Sequence, residues 1–256
     1  MKAFKWWIVV LTIFLSCRAL ACNTLPEDLL SAVRQNKIIL VGELHGTVEG
    51  PKHFFDIVCN TVGTFPDLTI GLELSPVEGI SLNDIESFNK WLSLDTEWKG
   101  PHDGRTSQAK YQLISNLIRL KSEYPNISIL LFNRVVEQRD LAMANVVADA
   151  YHGQKMVIYS GSAHSRLTKG APWDENWEPM GYFLKKKLPI NFYSILLVFN
   201  GGTAWNWQDT IGVHPLDMVT EPLVNNTKVL DETAPFNIIW NVGAGTASLP
   251  QFPDTK

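Results

Sequence analysis

The sequence predicts an α/β fold: a mostly parallel sheet with helices on both faces. Short apolar strands alternate with helical segments along most of the 256 residues. The strands are continuous apolar runs, which is typical of strands that are buried on both faces of a parallel sheet. The composition agrees, because 45% hydrophobic and 19% charged residues are normal for a globular chain and too apolar for a disordered one. The length suits one α/β domain, which we expect to cover residues 22–256.

The predicted strands are short runs of aliphatic and β-branched residues. They cover residues 37–43, 68–74, 126–132, 155–161 and 192–199. A weaker strand pattern covers residues 236–243. Runs of this length, separated by helical segments, indicate a sheet whose strands are joined by crossover helices.

The predicted helices are segments in which apolar residues recur at helical spacing. They cover residues 50–62, 107–124, 137–151 and 180–188. The first has Phe54, Ile57 and Val58 on one side and carries Pro51 near its first turn, where proline is tolerated.

Two regions do not follow the alternation. Residues 76–104 are predicted as a small insertion, irregular or partly helical, over one end of the sheet. The chain from residue 200 onward is rich in Gly, Pro, Trp and Asn and is predicted as a loop-rich C-terminal region.

The first 21 residues have the pattern of a signal peptide. Two lysines precede the apolar run from Trp6 to Leu15, and the segment ends in Ala19-Leu20-Ala21. The apolar run is too short to cross a bilayer of about 30 Å as a helix. We therefore expect an exported protein, either periplasmic or secreted.

The three cysteines allow two interpretations. Cys17 lies within the signal segment, so Cys22 and Cys59 are predicted to form a disulfide in an oxidising compartment. A disulfide that closes a loop of about 38 residues is worth roughly 4 kcal/mol in the chain-entropy model. Alternatively, the segments "FLSC" and "ALAC" resemble lipid-attachment signals, and the protein would contact a membrane only if Cys17 or Cys22 carried a lipid.

The charge pattern argues against a nucleic-acid partner. The net charge is −4. Loss of the first 21 residues would remove three basic residues and no acidic ones, and would make the chain more negative. One basic cluster, Lys185 to Lys187, lies at the end of a predicted helix, where lysines interact favourably with the helix dipole. A basic surface that could neutralise phosphates is not predicted.

Polar residues are concentrated where the predicted strands end. In open α/β sheets, ligands bind beyond the carboxyl ends of the strands. The residues at those ends are Glu43, His45, Glu49, Glu73, Asn133, Arg134, Arg139, Asp140, Ser162 and His164. We therefore expect a functional site at this edge of the sheet.

Two features of this set stand out. The spacing Gly-x-x-His occurs twice, ending at His45 and at His164, each time after an apolar strand. Glu73 lies in an otherwise apolar strand, and a buried carboxylate needs a partner, for which Arg139 and His45 are the candidates.

Four segments of the sequence resemble a known superfamily. "VGELHGTVE", "IGLELSP", "EQRDLAMANVV" and "YSGSAHS" are similar to the motifs of the superfamily that joins erythromycin esterases, ChaN-like haem-binding lipoproteins and TraB/Tiki proteins. The resemblance covers residues 40–200. The esterase-type match implies functional roles for Glu43 and His45, and the Tiki-type match implies that His45 and His164 act together.

The first functional hypothesis is a hydrolase that cleaves an ester or amide of a small molecule or peptide. His45 would be the general base toward water, oriented or stabilised by Glu43 or Glu73. Arg139 and His164 would stabilise the oxyanion. Substrate-binding residues are expected among Glu49, Arg134 and Asp140. No serine has the G-x-S-x-G setting of a nucleophile elbow, so attack by water is expected.

Two alternatives concern cofactors. The ChaN-like resemblance implies a haem- or iron-binding envelope protein, in which Trp173, Trp177, Trp205 and Trp207 would either line a slot for a flat ligand or simply pack. The Tiki-like resemblance implies a metal-dependent peptidase. Its metal would be divalent and would be held by His45, His164 and one carboxylate, Glu43 or Glu73, with one position left for water. Both catalytic hypotheses require His45 and His164 to face one pocket.

Overall fold

The computed structural model describes residues 22–100 and 103–252. Within these residues the chain forms six α-helices and nine strands. The helices are α1 Glu27–Gln35, α2 Glu49–Thr61, α3 Ile85–Leu94, α4 Gln108–Glu123, α5 Arg139–Asp149 and α6 Met180–Lys187. The strands are β1 Ile38–Glu43, β2 Leu68–Leu72, β3 Ile127–Leu131, β4 Lys155–Gly161, β5 Phe192–Val198, β6 Thr203–Trp207, β7 Ile211–Pro215, β8 Thr227–Val229 and β9 Ile238–Asn241.

Seven of the strands form one sheet in the order β3-β2-β4-β1-β5-β9-β8. All neighbours in it run parallel, except that β8 pairs antiparallel with β9 at one edge. The predicted mostly parallel sheet is therefore confirmed, and all five predicted strands are present. The weaker pattern at residues 236–243 corresponds to β9.

Helices cover both faces of the sheet, as predicted. Alternate residues of a strand point to opposite faces, and in β1 this separates Ile39 and Val41 from Ile38 and Leu40. The first pair packs in the core that includes apolar residues of α1, α2, α3 and α4. The second pair packs with α5 and α6. The core thus consists of two layers, one on each side of the sheet.

The central strands β1 and β4 form a crevice at their carboxyl ends. They are neighbours in the sheet, yet the chain leaves them toward opposite faces. β1 is followed by α2 in one helix layer, whereas β4 is followed by α6 in the other. Connections that diverge in this way open a ligand-binding crevice beyond the strand ends.

The region 76–104 is more ordered and more deeply packed than its sequence predicts. Asp84 caps α3, because its carboxylate accepts a hydrogen bond from the Ser87 amide at 2.7 Å. Trp91 and Trp98, on α3 and in the following turn, are completely or almost completely buried. The segment therefore extends the core beside the sheet.

The C-terminal region also contains more regular structure than predicted. β6 and β7 pair as an antiparallel hairpin outside the main sheet, and β8 extends the sheet edge. The amide of Trp205 in this hairpin donates to the carbonyl of Gly46 in the loop after β1. The hairpin thus supports one of the loops at the crevice.

A disulfide joins Cys22 to Cys59, as the cysteine pattern predicts. The adjacent Asn23 reinforces this link, because its backbone and side-chain amides donate to the Asp56 carboxylate. The segment before α1 is thereby fixed to α2. Attachment of a lipid to Cys22 is not compatible with this bond.

The predicted signal peptide and Cys17 lie outside the described residues. In the part of the chain that the structure describes, no helix combines the length and the apolar character needed to cross a membrane.

Candidate active site

The two Gly-x-x-His turns meet at the crevice between β1 and β4. Glu43 and Gly161 are directly paired at the ends of these two strands. A Cβ atom built on Gly161 would lie 2.9 Å from Nε2 of His45 and 3.6 Å from Cδ2 of His164. The two imidazoles therefore both lie close to one glycine, as a shared site requires. A side chain at this position would collide with His45.

Glycine is also needed in the first turn. Gly46 has a φ of +81°, and a Cβ atom there would lie 1.7 Å from the carbonyl oxygen of Trp205. Only glycine permits this backbone conformation at so close an approach to the hairpin. The turn that presents His45 is therefore fixed by the backbone conformation of Gly46 and by its contact with the hairpin.

The Glu43 carboxylate binds the His45 ring through Nδ1. Its Oε1 lies 3.0 Å from Nδ1 of His45 and 2.5 Å from Nζ of Lys110. Its Oε2 accepts a hydrogen bond from the Tyr159 hydroxyl. The Glu43 carboxylate thus contacts His45, Lys110 and Tyr159. Glu43 itself is almost fully buried.

The alternation of the strands explains this set of partners. Glu43 follows Val41 by two residues and therefore points to the same face of the sheet, toward the layer that contains α4. Lys110 is on the first turn of α4, and Tyr159 points to the same face from β4. The Lys110 ammonium also lies 4.0 Å from the centre of the Tyr159 ring.

Electrostatics keep Glu43 ionised. Burial alone raises the pKa of its carboxyl, but the Lys110 ammonium and the bond from His45 outweigh that effect. The pKa therefore lies below its ordinary value of 4.5. Burial, together with the Glu43 charge, raises the pKa of Tyr159 well above 10.0, so its hydroxyl stays protonated and donates to Glu43.

The carboxylate determines the tautomer of His45. An ionised carboxylate can only accept hydrogen bonds, so the hydrogen of a neutral His45 ring is assigned to Nδ1. Nε2 then carries a lone pair and faces Gly161. Within the described residues, Nε2 of His45 makes no hydrogen bond. The His45 side chain is 24% exposed, so a small molecule can reach it.

A second network surrounds Glu73 on the other face of the sheet. Nη2 of Arg139 donates to its Oε1 at 2.5 Å, and the Gly161 amide donates to its Oε2 at 2.7 Å. Nη1 of Arg139 lies 3.1 Å from Nε2 of His164. Glu73 thus has the Arg139 partner that its buried position predicts.

Asp140 orients His164. Its Oδ1 lies 2.7 Å from Nδ1 of His164 and accepts the Met180 amide at the start of α6, also at 2.7 Å. With a hydrogen on Nδ1, the His164 ring accepts from Arg139 through Nε2. The lone pair of this histidine therefore already accepts a hydrogen bond, whereas that of His45 has no donor among the residues that the structure describes.

A third set of groups positions Arg139. Its Nε donates to Oδ1 of Asn133 at 2.9 Å, and the Asn133 amide donates to Glu97 at 2.8 Å and to Ser75 at 3.0 Å. Nη1 of Arg105 lies 3.8 Å from Oε2 of Glu97. The guanidinium of Arg139 is consequently held on three sides and remains 30% exposed.

Two predicted substrate-binding residues bond to the surrounding backbone. Oε2 of Glu49 accepts the Thr246 amide at 2.8 Å and so ties α2 to the C-terminal segment. Nη1 of Arg134 donates to the carbonyls of Asn133 and Leu131. Neither residue contacts the histidines through these bonds. Asp140 does, because its Oδ1 lies 2.7 Å from Nδ1 of His164.

The predicted metal-ligand set of His45, His164 and Glu43 does not assemble. Glu43 binds the Nδ1 side of His45, away from the free Nε2, and its oxygens are shared with Lys110 and Tyr159. The Arg139 guanidinium occupies Nε2 of His164. Throughout residues 22–100 and 103–252, no group of three or more His, Cys, Asp or Glu could hold a metal ion. In this arrangement a cationic side chain contacts each half of the predicted ligand set, Lys110 at Glu43 and Arg139 at His164.

Sequence reasoning missed Lys110 and Tyr159. Lys110 precedes Leu113, Ile114 and Leu117 at helical spacing, and all four are buried. A lysine on the apolar side of an amphipathic helix needs a buried anion, and this signal could have identified it. Tyr159 lies within an apolar strand, where an aromatic residue has no distinctive pattern.

The acid stability of the protein depends on Glu73. Burial opposes its ionisation, but the basic groups of His164, His45 and Arg139 and the Gly161 amide lower its pKa from 4.5 to about 2. A lowered pKa in the folded state stabilises the fold fully above about pH 4.5, and this contribution disappears as the pH falls through about 2. We expect the free energy of unfolding to decrease over this window, and to decrease less in the Glu73→Gln variant.

Urea unfolding at several pH values between 2 and 5 measures this effect. Glu123→Gln, which changes an exposed carboxylate at the end of α4, is the matched control. Parallel curves for the wild type and Glu73→Gln would contradict the assigned role of Glu73.

Comparisons with known proteins support the fold. No family model and no curated protein matches the sequence. A solved succinoglycan biosynthesis protein aligns with a TM-score of 0.61 at 10% identity, over 88% of this chain and 92% of that one. The erythromycin esterase EreC, in its open conformation, aligns with a TM-score of 0.56 at 10% identity, over 90% of this chain and 95% of that one.

The chain has the fold of an erythromycin esterase. The resemblance carried by the four motifs is thus confirmed at the level of the fold, and an identity of 10% shows nothing beyond it. A haem-bound ChaN protein of Campylobacter jejuni aligns with a TM-score of 0.49 at 12% identity, over 83% of this chain and 90% of that one. That similarity is too low to support a conclusion.

Proposed function

We propose that this protein is an exported hydrolase that cleaves an ester or amide bond by direct attack of water, with His45 as the general base. One observation carries the proposal. The ionised Glu43 binds Nδ1 of His45, and Nε2, which has no hydrogen-bond partner among the described residues, lies beside Gly161 at the strand ends, where we place the attacking water. An erythromycin esterase of the same fold is consistent with this proposal.

The proposed first step moves one proton. The oxygen of a water attacks the carbonyl carbon of the substrate, while Nε2 of His45 takes a proton from that water. The imidazolium that forms is stabilised by Glu43, to which its Nδ1–H already donates. A general base in this position supplies about 10²- to 10⁴-fold in rate.

Arg139 is the proposed partner of the oxyanion. Its Nη1 and Nη2 each spend one N–H on His164 and Glu73, so each keeps a second N–H for the substrate. Preorganised donors of this kind are worth about 10²- to 10³-fold each. In this proposal His164 and Asp140 position the guanidinium, and His164 does not itself contact the oxyanion.

The second step returns the proton. The tetrahedral intermediate collapses with cleavage of the bond to the leaving oxygen or nitrogen, and Nε2 of His45 delivers its proton to that atom. The products are a carboxylic acid and an alcohol or amine, and the resting tautomer of His45 is restored. No serine, cysteine or metal takes part in these steps.

Two features of the chain support export. The N-terminal segment has the charge and apolar pattern of a signal peptide, and the bond between Cys22 and Cys59 is of the kind that persists in oxidising compartments.

The proposal is tested with purified residues 22–256 and a panel of simple esters and amides, and the acid and the alcohol or amine that are released are measured by chromatography. We expect turnover of panel members at a rate above that of heat-denatured protein, and an unchanged protein mass when the reaction is quenched during turnover. A protein mass raised by the acyl group would contradict direct attack by water. Rates equal to those of the denatured protein across the panel would contradict hydrolase activity.

A further inference from the structure

A pair of tryptophans stands beside His164 and has no role in the proposed chemistry. The rings of Trp173 and Trp177 are 5.5 Å apart and inclined at 46°. The ring centroids of Trp177 and His164 are 5.9 Å apart, and the two rings meet edge to face. Trp177 is partly buried, whereas Trp173 is 67% exposed. The pair thus forms an aromatic surface that extends from the site into solvent.

The loop that carries the pair is held by its own hydrogen bonds. Ala171 and Asp174 exchange two backbone hydrogen bonds, at 2.8 and 3.1 Å, and enclose Trp173 in a tight turn. The Gly170 amide donates to the Trp177 carbonyl at 2.8 Å, and the Asp174 carboxylate accepts the Asn176 amide at 2.8 Å. The turn therefore presents the indole in a defined position.

The surroundings of Trp173 favour a flat ligand over an acyl chain. Residues 172–176 are all exposed and include Asp174, Glu175 and Asn176, so the surface is open and its rim is polar. A flexible chain gains most in an enclosed apolar pocket. A ring gains from stacking on one indole face, even when its other side remains in water.

We propose that Trp173 and Trp177 form a subsite that binds a ring of the substrate, either aromatic or sugar, next to the scissile bond. The inference rests on the proposed function, because it places the ring beside the carbonyl that Arg139 and His45 act upon. Both kinds of ring present a flat face of C–H or π character to the indole. The expected substrate is therefore an ester or amide with a ring close to its carbonyl group.

The subsite is tested by binding without turnover. In His45→Gln protein, tryptophan fluorescence and calorimetry measure the affinities of benzyl acetate, methyl 6-O-acetylglucoside and hexyl acetate. We expect at least one of the ring-bearing ligands to bind more tightly than hexyl acetate. Trp173→Ala should weaken that binding by roughly 3- to 10-fold, and Trp173→Phe should retain most of it. The two ring-bearing ligands distinguish an aromatic subsite from a sugar subsite.

Trp207 provides the matched control. It is also 67% exposed but lies at the end of β6, and in the described residues its ring contacts neither histidine. Trp207→Ala in the same background should leave all three affinities unchanged. An equal loss of affinity in Trp173→Ala and Trp207→Ala would overturn the assignment.

Failure of the subsite and failure of the hydrolase are separate results. Ring ligands that bind no better than hexyl acetate, or that are unaffected by Trp173→Ala, would overturn the subsite whether or not the wild type hydrolyses esters. Ring binding that depends on Trp173, in a protein that hydrolyses nothing, would support the subsite and contradict the hydrolase.

Discussion

Replacement of His45 by glutamine is expected to lower kcat/KM for any ester or amide substrate by at least about 100-fold. Glutamine can still donate to Glu43 but has no basic nitrogen, so the water loses its proton acceptor. The fold should persist, because the His45 side chain is partly exposed and packs at the strand end rather than in the core. Steady-state hydrolysis and a thermal unfolding curve of the variant measure both parts of this prediction.

His214 supplies the matched control for this substitution. It lies in β7, and its Nε2 bonds the carbonyl of Thr210 at 2.8 Å. His214→Gln should retain the wild-type kcat/KM. Near-normal turnover by His45→Gln would show that the histidine at the end of β1 has only a structural role.

Replacement of Lys110 by methionine is expected to destabilise the fold by about 3–5 kcal/mol at neutral pH. Methionine fills a similar volume but leaves the buried Glu43 carboxylate without its ammonium partner. The pKa of Glu43 should rise, because burial would then be opposed only by its remaining partners. Urea unfolding of the wild type and the variant gives the difference in free energy.

A double-mutant cycle with Glu43→Gln separates the ion pair from packing. In the double variant Lys110→Met/Glu43→Gln no buried charge is left unpaired, so its destabilisation should be smaller than the sum of the two single effects. A cost below about 1 kcal/mol for Lys110→Met, or simple additivity in the cycle, would contradict a buried ion pair at this position.

Half of the candidate site could be predicted because its signals are local. Each Gly-x-x-His turn directly follows an apolar strand, and parallel strands end at the same edge of a sheet, so His45 and His164 were expected to meet. The pairing of Glu73 with Arg139 could also be predicted from a local signal. A carboxylate in an apolar strand needs a cation, and the next helix layer supplies one.

The other half depends on the order of the strands, which the sequence does not reveal. Lys110 is 67 residues away from Glu43 in the chain, and the two meet only because β1 lies in the centre of the sheet beneath α4. For the same reason, the residues at the sheet edge did not reveal that Arg139 would contact Nε2 of His164.

The remaining differences in the fold arise where tertiary contacts override weak local patterns. α3 begins at the cap of Asp84, and its buried residues Phe88, Trp91 and Leu92 recur at helical spacing over only about one turn, which is a short signal in the sequence. The β6–β7 hairpin lies in the region that was predicted to be loop-rich, and it is fixed by the hydrogen bond from the Trp205 amide to the Gly46 carbonyl.

The central claim is that Glu43 holds His45 with its hydrogen on Nδ1 and its lone pair on Nε2. Nitrogen NMR of the imidazole rings tests this claim directly and needs no substrate, with the His45→Gln variant identifying the signals of His45. At a pH where the ring is neutral, we expect a protonated Nδ1 and an unprotonated Nε2, with this preference lost in Glu43→Gln. A neutral His45 ring with its hydrogen on Nε2 in the wild type would contradict the account.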